Sequence, residues 1–251
     1  MSKLDRRSFI KKTSLSGAAL ASSSIFSAKS ESNNYVKSPF SGLDLLATND
    51  WWNRGNNEII DLKVEREDVI AFGIYTLSNN ILKLTAQLFP LYPEESREVR
   101  LEIYRDKKWV VVNKKIINEI GWAATFKIED WDDTKNTKYR LTHGNNAKFN
   151  GLIRKNPIDQ NTIKLAAFSC NSNKDRGDRK NYIRNINYIN PDILFFAGDQ
   201  SYDHKEHTAA WLKFGMQFRE IFRDRPCITI PDDHDIGQGN LWGENGKVAS
   251  S

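Results

Sequence analysis

A chain of 251 residues is long enough to bury a core and to form more than one domain, and 39% hydrophobic with 27% charged residues is the composition of a soluble globular protein. Seven tryptophans, 13 phenylalanines and eight tyrosines exclude a disordered chain. The formal charge of +5 carries no argument for a nucleic-acid partner: Lys3, Arg6, Arg7, Lys11 and Lys12 face only Asp5 within residues 1–28, and the rest of the chain has 32 basic against 31 acidic residues.

The basic residues 1–12 precede an apolar stretch of small residues from Leu15 to Phe26, too short and too rich in serine for a transmembrane span. The run DRRSFIK, with Arg6, Arg7, Phe9 and Lys11, resembles a bacterial twin-arginine export signal. That resemblance implies a partner, the twin-arginine export machinery, and a destination outside the cytoplasm, periplasmic or extracellular. The signal peptide is taken as residues 1–28, with cleavage expected between Ser24 and Ser30. Residues 29–42 are polar and read as a linker.

Residues 43–142 favour strands, within a domain taken as residues 43–150. Residues 81–88 (ILKLTAQL) alternate with period two, as do residues 99–105, which pass through Asp106 and Lys107 into Trp109 and three valines and so predict a hairpin. Residues 123–128 and 139–142 are expected to form a second pair across a turn-rich connection. Several strands without intervening helices predict a small all-β sandwich.

The pattern changes after Asn150. Residues 163–168, 193–197 and 227–230 read as short strands, the middle one apolar throughout, as a strand buried on both faces would be. Between them come a helix capped by Asp178, with Tyr182, Ile186 and Ile189 on its apolar face, and a helix over residues 207–222, with Trp211, Phe214, Phe218, Ile221 and Phe222 on one stripe. Strand and helix in alternation predict a parallel α/β sheet. The two cysteines fall at opposite ends of parallel strands, Cys170 after one and Cys227 at the start of another. The length of a strand separates them by roughly 15–20 Å, beyond the ~7 Å that a disulfide spans, so two free thiols, or one on metal, are expected.

Ligands collect beyond the carboxyl ends of parallel strands, and a polar cluster follows each strand here: Ser169, Cys170 and Asn171; then residues 198–204; then residues 232–235. Gly198-Asp199-x-x-Tyr202 sets a carboxylate with two oxygens directly after a buried strand and a phenol three residues on. Asp232, Asp233, His234 and Asp235 offer carboxylates for a second cation and an imidazole within reach of a leaving group. Two cations so held would polarise a phosphoryl group. His204 and His207 follow the G-D-x-x-Y loop; His207 reads as a solvated helix start, and Trp211, Phe214 and Phe218 as core.

G-D-x-x-Y followed by D-D-H-D, behind such a leader, resembles the alkaline phosphatase D (PhoD-like) branch of the metallophosphoesterases. The resemblance implies an exported phosphoric ester hydrolase that cleaves phosphate mono- or diesters with a metal-activated water. It implies an N-terminal β-sandwich domain before an αββα catalytic domain, of which residues 151–251 would be the N-terminal half, since complete members continue past D-D-H-D. Two metal ions are implied, iron(III) on Cys170 and Tyr202 and a divalent ion such as calcium on Asp233, with Asp199 bridging. His234 would contact the phosphoryl oxygen or protonate the leaving group. Asp232 joins the metal set and Asp235 the catalytic set, each equally suited to orienting a neighbour. Two readings stay open beside this one: a phospholipase D-like or nucleotide-directed diesterase, and a non-catalytic exported β-sandwich binding module with a truncated phosphoesterase remnant.

Overall fold

Two hairpins close through pairs of residues in the left-handed conformation. Asn79 and Asn80 (φ 51° and 59°) close a two-residue hairpin between β1 (Ile70–Ser78) and β2 (Ile81–Leu88). Asp106 and Lys107 (φ 52° and 61°) do the same between β3 (Glu98–Arg105) and β4 (Lys108–Ile116), the hairpin expected from the alternation. The structure is a computed structural model that describes residues 57–172, 177–203 and 207–236. The leader with Arg6 and Arg7, the linker, the start of the strand-rich region and His204 lie outside these described residues.

Strands β5 (Ala123–Ile128), β6 (Thr137–His143) and β7 (Ala147–Ile153) complete two antiparallel sheets of order β1-β2-β5 and β4-β3-β6-β7. The expected pairing of residues 123–128 with 139–142 is corrected here. β5 bonds to β2 and β6 to β3 and β7, so the connection between them crosses from one sheet to the other. Buried Trp131, whose N–H donates to Asn80 O at 2.8 Å, pins that crossing. Alternation marks a strand as half-buried but does not choose its neighbour. The strands β1 and β7 have no expectation of their own in the sequence, and β7 runs through Asn150.

A parallel sheet follows, β8 (Leu165–Phe168), β9 (Ile193–Ala197) and β10 (Cys227–Ile230), in the order β10-β9-β8. Helices α1 (Arg179–Ile189) and α2 (His207–Phe222) occupy the expected spans. The Asp178 side chain accepts the N–H groups of Lys180 and Asn181, capping α1 as expected. The apolar face of α1 is shifted from expectation. Ile183 and Ile186 are buried, whereas Tyr182 and Ile189 are more than half exposed. Period 3.6 fits either of two adjacent stripes, and packing selects the one that meets α2.

The strand β9 is also less enclosed than its composition predicts. Leu194 and Phe196 are buried and Ile193, Phe195 and Ala197 only partly so, because α2 covers one face of the sheet. On the covered face Phe196 meets Phe214 and Phe218 edge-on at 5.1 Å and Phe222 at 5.5 Å. Phe72 of β1 reaches the same helix, 5.9 Å from Trp211 and 6.0 Å from Phe222, so the antiparallel strands and α2 share one core. No helix among the described residues is long and apolar enough to cross a membrane.

Candidate metal centre

The carboxyl ends of β8, β9 and β10 converge, and two of them end in strained backbone. Cys170 (φ 58°) and Asp199 (φ 55°) both adopt the left-handed conformation that non-glycine residues avoid. Gly198 before Asp199 has φ 88°, and a Cβ placed on it would collide with Cβ of Asp232. Glycine there lets the loop after β10 close onto the loop after β9.

Asp199 is the hub. It is buried, and its Oδ2 accepts the Tyr202 hydroxyl at 2.9 Å and the Cys170 thiol at 3.6 Å. Its Oδ1 is buried with no hydrogen-bond partner. An ionised oxygen left so is costly unless a cation or a donor meets it. Donor atoms of Asp199, Asp233 and His234 lie within 4.8 Å of one another, a group that can hold a metal ion. The Tyr202 ring lies 4.2 Å from the His234 ring. Burial first, then the bonds to Cys170 and Asp199, push the Tyr202 phenol above its ordinary range. Carboxylate, imidazole, thiol and phenol together form a donor set suited to transition metals, and the orphaned Oδ1 is where such an ion would bind.

The remaining residues of the third cluster serve the backbone. Asp235 Oδ1 accepts the N–H groups of Gln200 at 2.8 Å and Ser201 at 3.3 Å, and Oδ2 accepts that of Asp232 at 3.0 Å. Asp232 is exposed and its Oδ1 accepts the Asp233 N–H at 2.9 Å; Asp233 Oδ1 in turn accepts the His234 N–H at 2.9 Å. All seven residues singled out from the sequence thus meet in one place: Cys170, Asp199, Tyr202, Asp233 and His234 with side chains gathered about Asp199, and Asp232 and Asp235 holding the turn that carries two of them.

Three contributors had no role assigned from the sequence, although Asn171 and Gln200 lie within its polar clusters. Gln200 Nε2 donates to Ile230 O at 2.8 Å, tying the ends of β9 and β10. Asn171 Nδ2 bridges to Gln200 O at 3.1 Å and Gln217 Oε1 at 2.9 Å, tying the loop after β8 to α2. Amides have no distinctive spacing, so the sequence marks their strand-end position but not what they bind. The third, Arg179, lines a cleft of about 760 Å³ together with Cys170 and Tyr202. Both cysteines are free, Cys170 exposed and Cys227 buried, as the strand ends require.

No protein-family model matches the chain, and no curated protein matches it. Solved structures do. A structure described as that of PhoD aligns with a TM-score of 0.56 at 14% identity, covering 71% of this chain and 41% of its own. Purple acid phosphatase PPD1 from yellow lupin (Lupinus luteus) seeds aligns with a TM-score of 0.50 at 14% identity, covering 71% of this chain and 37% of its own. The chain spans less than half the length of either. The chain shares its fold with these two structures, and its parallel strands end on a cluster that can hold a metal ion.

Proposed function

We propose that the chain is the metal-binding part of an exported phosphoesterase that hydrolyses phosphate mono- or diesters, with a β-sandwich domain ahead of its catalytic region. The observation that carries this reading is Asp199: one oxygen shared by Tyr202 and Cys170, the other buried and unpartnered, with Asp233 and His234 donors close by. The fold shared with two phosphatases supports the reaction class.

The Tyr202 phenol is a hard donor suited to iron(III), the softer Cys170 thiol suits the same transition-metal position, Asp233 suits a divalent ion such as calcium, and Asp199 suits both. Such ions supply Lewis-acid polarisation of the phosphoryl group and acidify a water. The chain's own residues do the rest. Asp235 fixes the two loops in register, so that the donors are in place before substrate arrives. His234, packed against the Tyr202 ring, would contact the phosphoryl oxygen or give a proton to the departing ester oxygen.

The test is metal analysis beside phosphatase and phosphodiesterase assays. Asp199→Ala is expected to lose both metal and rate. His234→Ala keeps most of the metal and loses turnover by roughly 10²–10⁴-fold, the range for a missing general acid. A visible charge-transfer band from iron(III), absent in Tyr202→Phe, identifies the phenol as a ligand. Wild-type metal and rate in Asp199→Ala would end this reading. Export rests on Arg6 and Arg7: replacing both with Lys should leave uncut precursor in the cytoplasm, and normal export of that variant removes the twin-arginine proposal.

A further inference from the structure

We propose that Arg179 is a specificity-determining residue that holds a second anionic group of the substrate, so that the preferred ester carries a phosphoryl group beyond the one that reacts. This rests on the phosphoesterase reading above and names its substrate class.

The cleft beside Asp199 has Cys170 and Tyr202 in its wall, and also the first turn of α1, with Arg179 and Tyr182. Among the described residues that line it, Arg179 is the one cation. Its guanidinium is held in place: Nη2 donates to Ser172 O at 2.9 Å and the group lies 6.0 Å from the Tyr182 ring centre. Yet it is underused. Nε is buried with no acceptor, and no carboxylate among the described residues forms an ion pair with it. The adjacent Asp178 is committed to the cap of α1, its Oδ1 on the N–H groups of Lys180 at 2.9 Å and Asn181 at 3.3 Å and its Oδ2 on the Asn181 amide at 2.5 Å.

The flat fork of an arginine that lines a cleft matches phosphate oxygens in pairs. The position of the fork decides which phosphate it meets. Ser172, whose carbonyl holds Arg179, donates its own N–H to Cys170 O at 3.1 Å. Arg179 is therefore tethered to the turn that presents Cys170, and both line the same cleft. The reacting phosphoryl group belongs among Cys170, Asp199 and Tyr202. A group bonded to it and lying along the cleft comes to the guanidinium. Orthophosphate fills the first place only, whereas pyrophosphate reaches both.

The probes are these two anions, titrated calorimetrically into the metal-loaded chain. The wild type is expected to bind inorganic pyrophosphate more tightly than orthophosphate. Arg179→Met keeps the apolar stem and should cut that ratio by about tenfold or more, the effect of one charged hydrogen-bonding group. Arg179→Lys, with the charge but not the fork, should fall between. An unchanged ratio in Arg179→Met overturns the proposal, as does a proportional loss of both anions, which would assign Arg179 to the reacting phosphate or to the fold. If circular dichroism shows Arg179→Met unfolded, the ratio in Arg179→Lys decides in the same way. A wild type that holds no metal and binds neither anion sinks the phosphoesterase reading and this one with it; bound metal with an unaltered ratio sinks this one alone.

Discussion

The Asp235 carboxylate accepts the backbone N–H of Gln200 at 2.8 Å, so the loop after the third parallel strand clamps the loop after the second. With Ser201 and Asp232 also donating to it, Asp235 fixes the distance between Asp199 on one loop and Asp233 and His234 on the other. Asp235→Asn leaves one amide –NH₂ facing a backbone donor and removes the charge. Metal affinity is expected to fall about 10–100-fold, the usual cost of losing an outer partner of a metal site, with the fold retained. Titrating metal into the variant reads this directly. Wild-type affinity with lost turnover would instead assign Asp235 to the reaction.

Gly198 makes the same junction possible from the backbone side. At φ 88°, with Asp232 where a Cβ would stand, Gly198→Ala is strained twice over. The expected cost is about 1–3 kcal/mol, and the 232–235 turn is displaced from Asp199. Melting temperature and metal stoichiometry should drop together. A variant with both intact would show that the two loops do not need this close approach.

A glycine inside α2 reverses an ordinary rule. Alanine usually exceeds glycine in a helix interior by about 1 kcal/mol. At Gly215, however, an added Cβ would run into the Phe72 ring. Overpacking of this kind costs about 1–3 kcal/mol, so Gly215→Ala should lower the melting temperature. Pairing it with Phe72→Leu should restore part of the loss, and strict additivity of the two in a double-mutant cycle would disprove the contact.

The two thiols should differ in reactivity. Burial pushes the Cys227 thiol up and closes it off, whereas Cys170 is exposed beside Asp199. Metal-free native protein is expected to take up one alkylating label per chain, at Cys170, and two after unfolding. Bound metal should protect Cys170. A native count of zero without metal, restored by reductant, would mean a disulfide and contradict the strand ends.

The sequence by itself determined the local elements and the chemistry at their ends. The alternation in residues 81–88, the apolar run 193–197, the cap at Asp178 and the stripe in 207–222 each depend on neighbours a few residues away, and each appears in the structure. The G-D-x-x-Y and D-D-H-D runs were legible for the same reason, since a parallel sheet brings every strand end to one edge. Only the tertiary structure decided which strands pair, which stripe of α1 is buried and what each polar group touches. Alternation fits either sheet, so residues 123–128 were matched with 139–142 when β2 was their partner. Period 3.6 tolerates two stripes, so the sequence points Tyr182 inward whereas in the structure it lines the cleft. Asp232, Asp233 and Asp235 are one residue type within four positions, and no local rule separates a carboxylate near Asp199 from one that binds backbone N–H groups. That distinction, like the unmet donor of Arg179, arises from contacts between segments tens of residues apart.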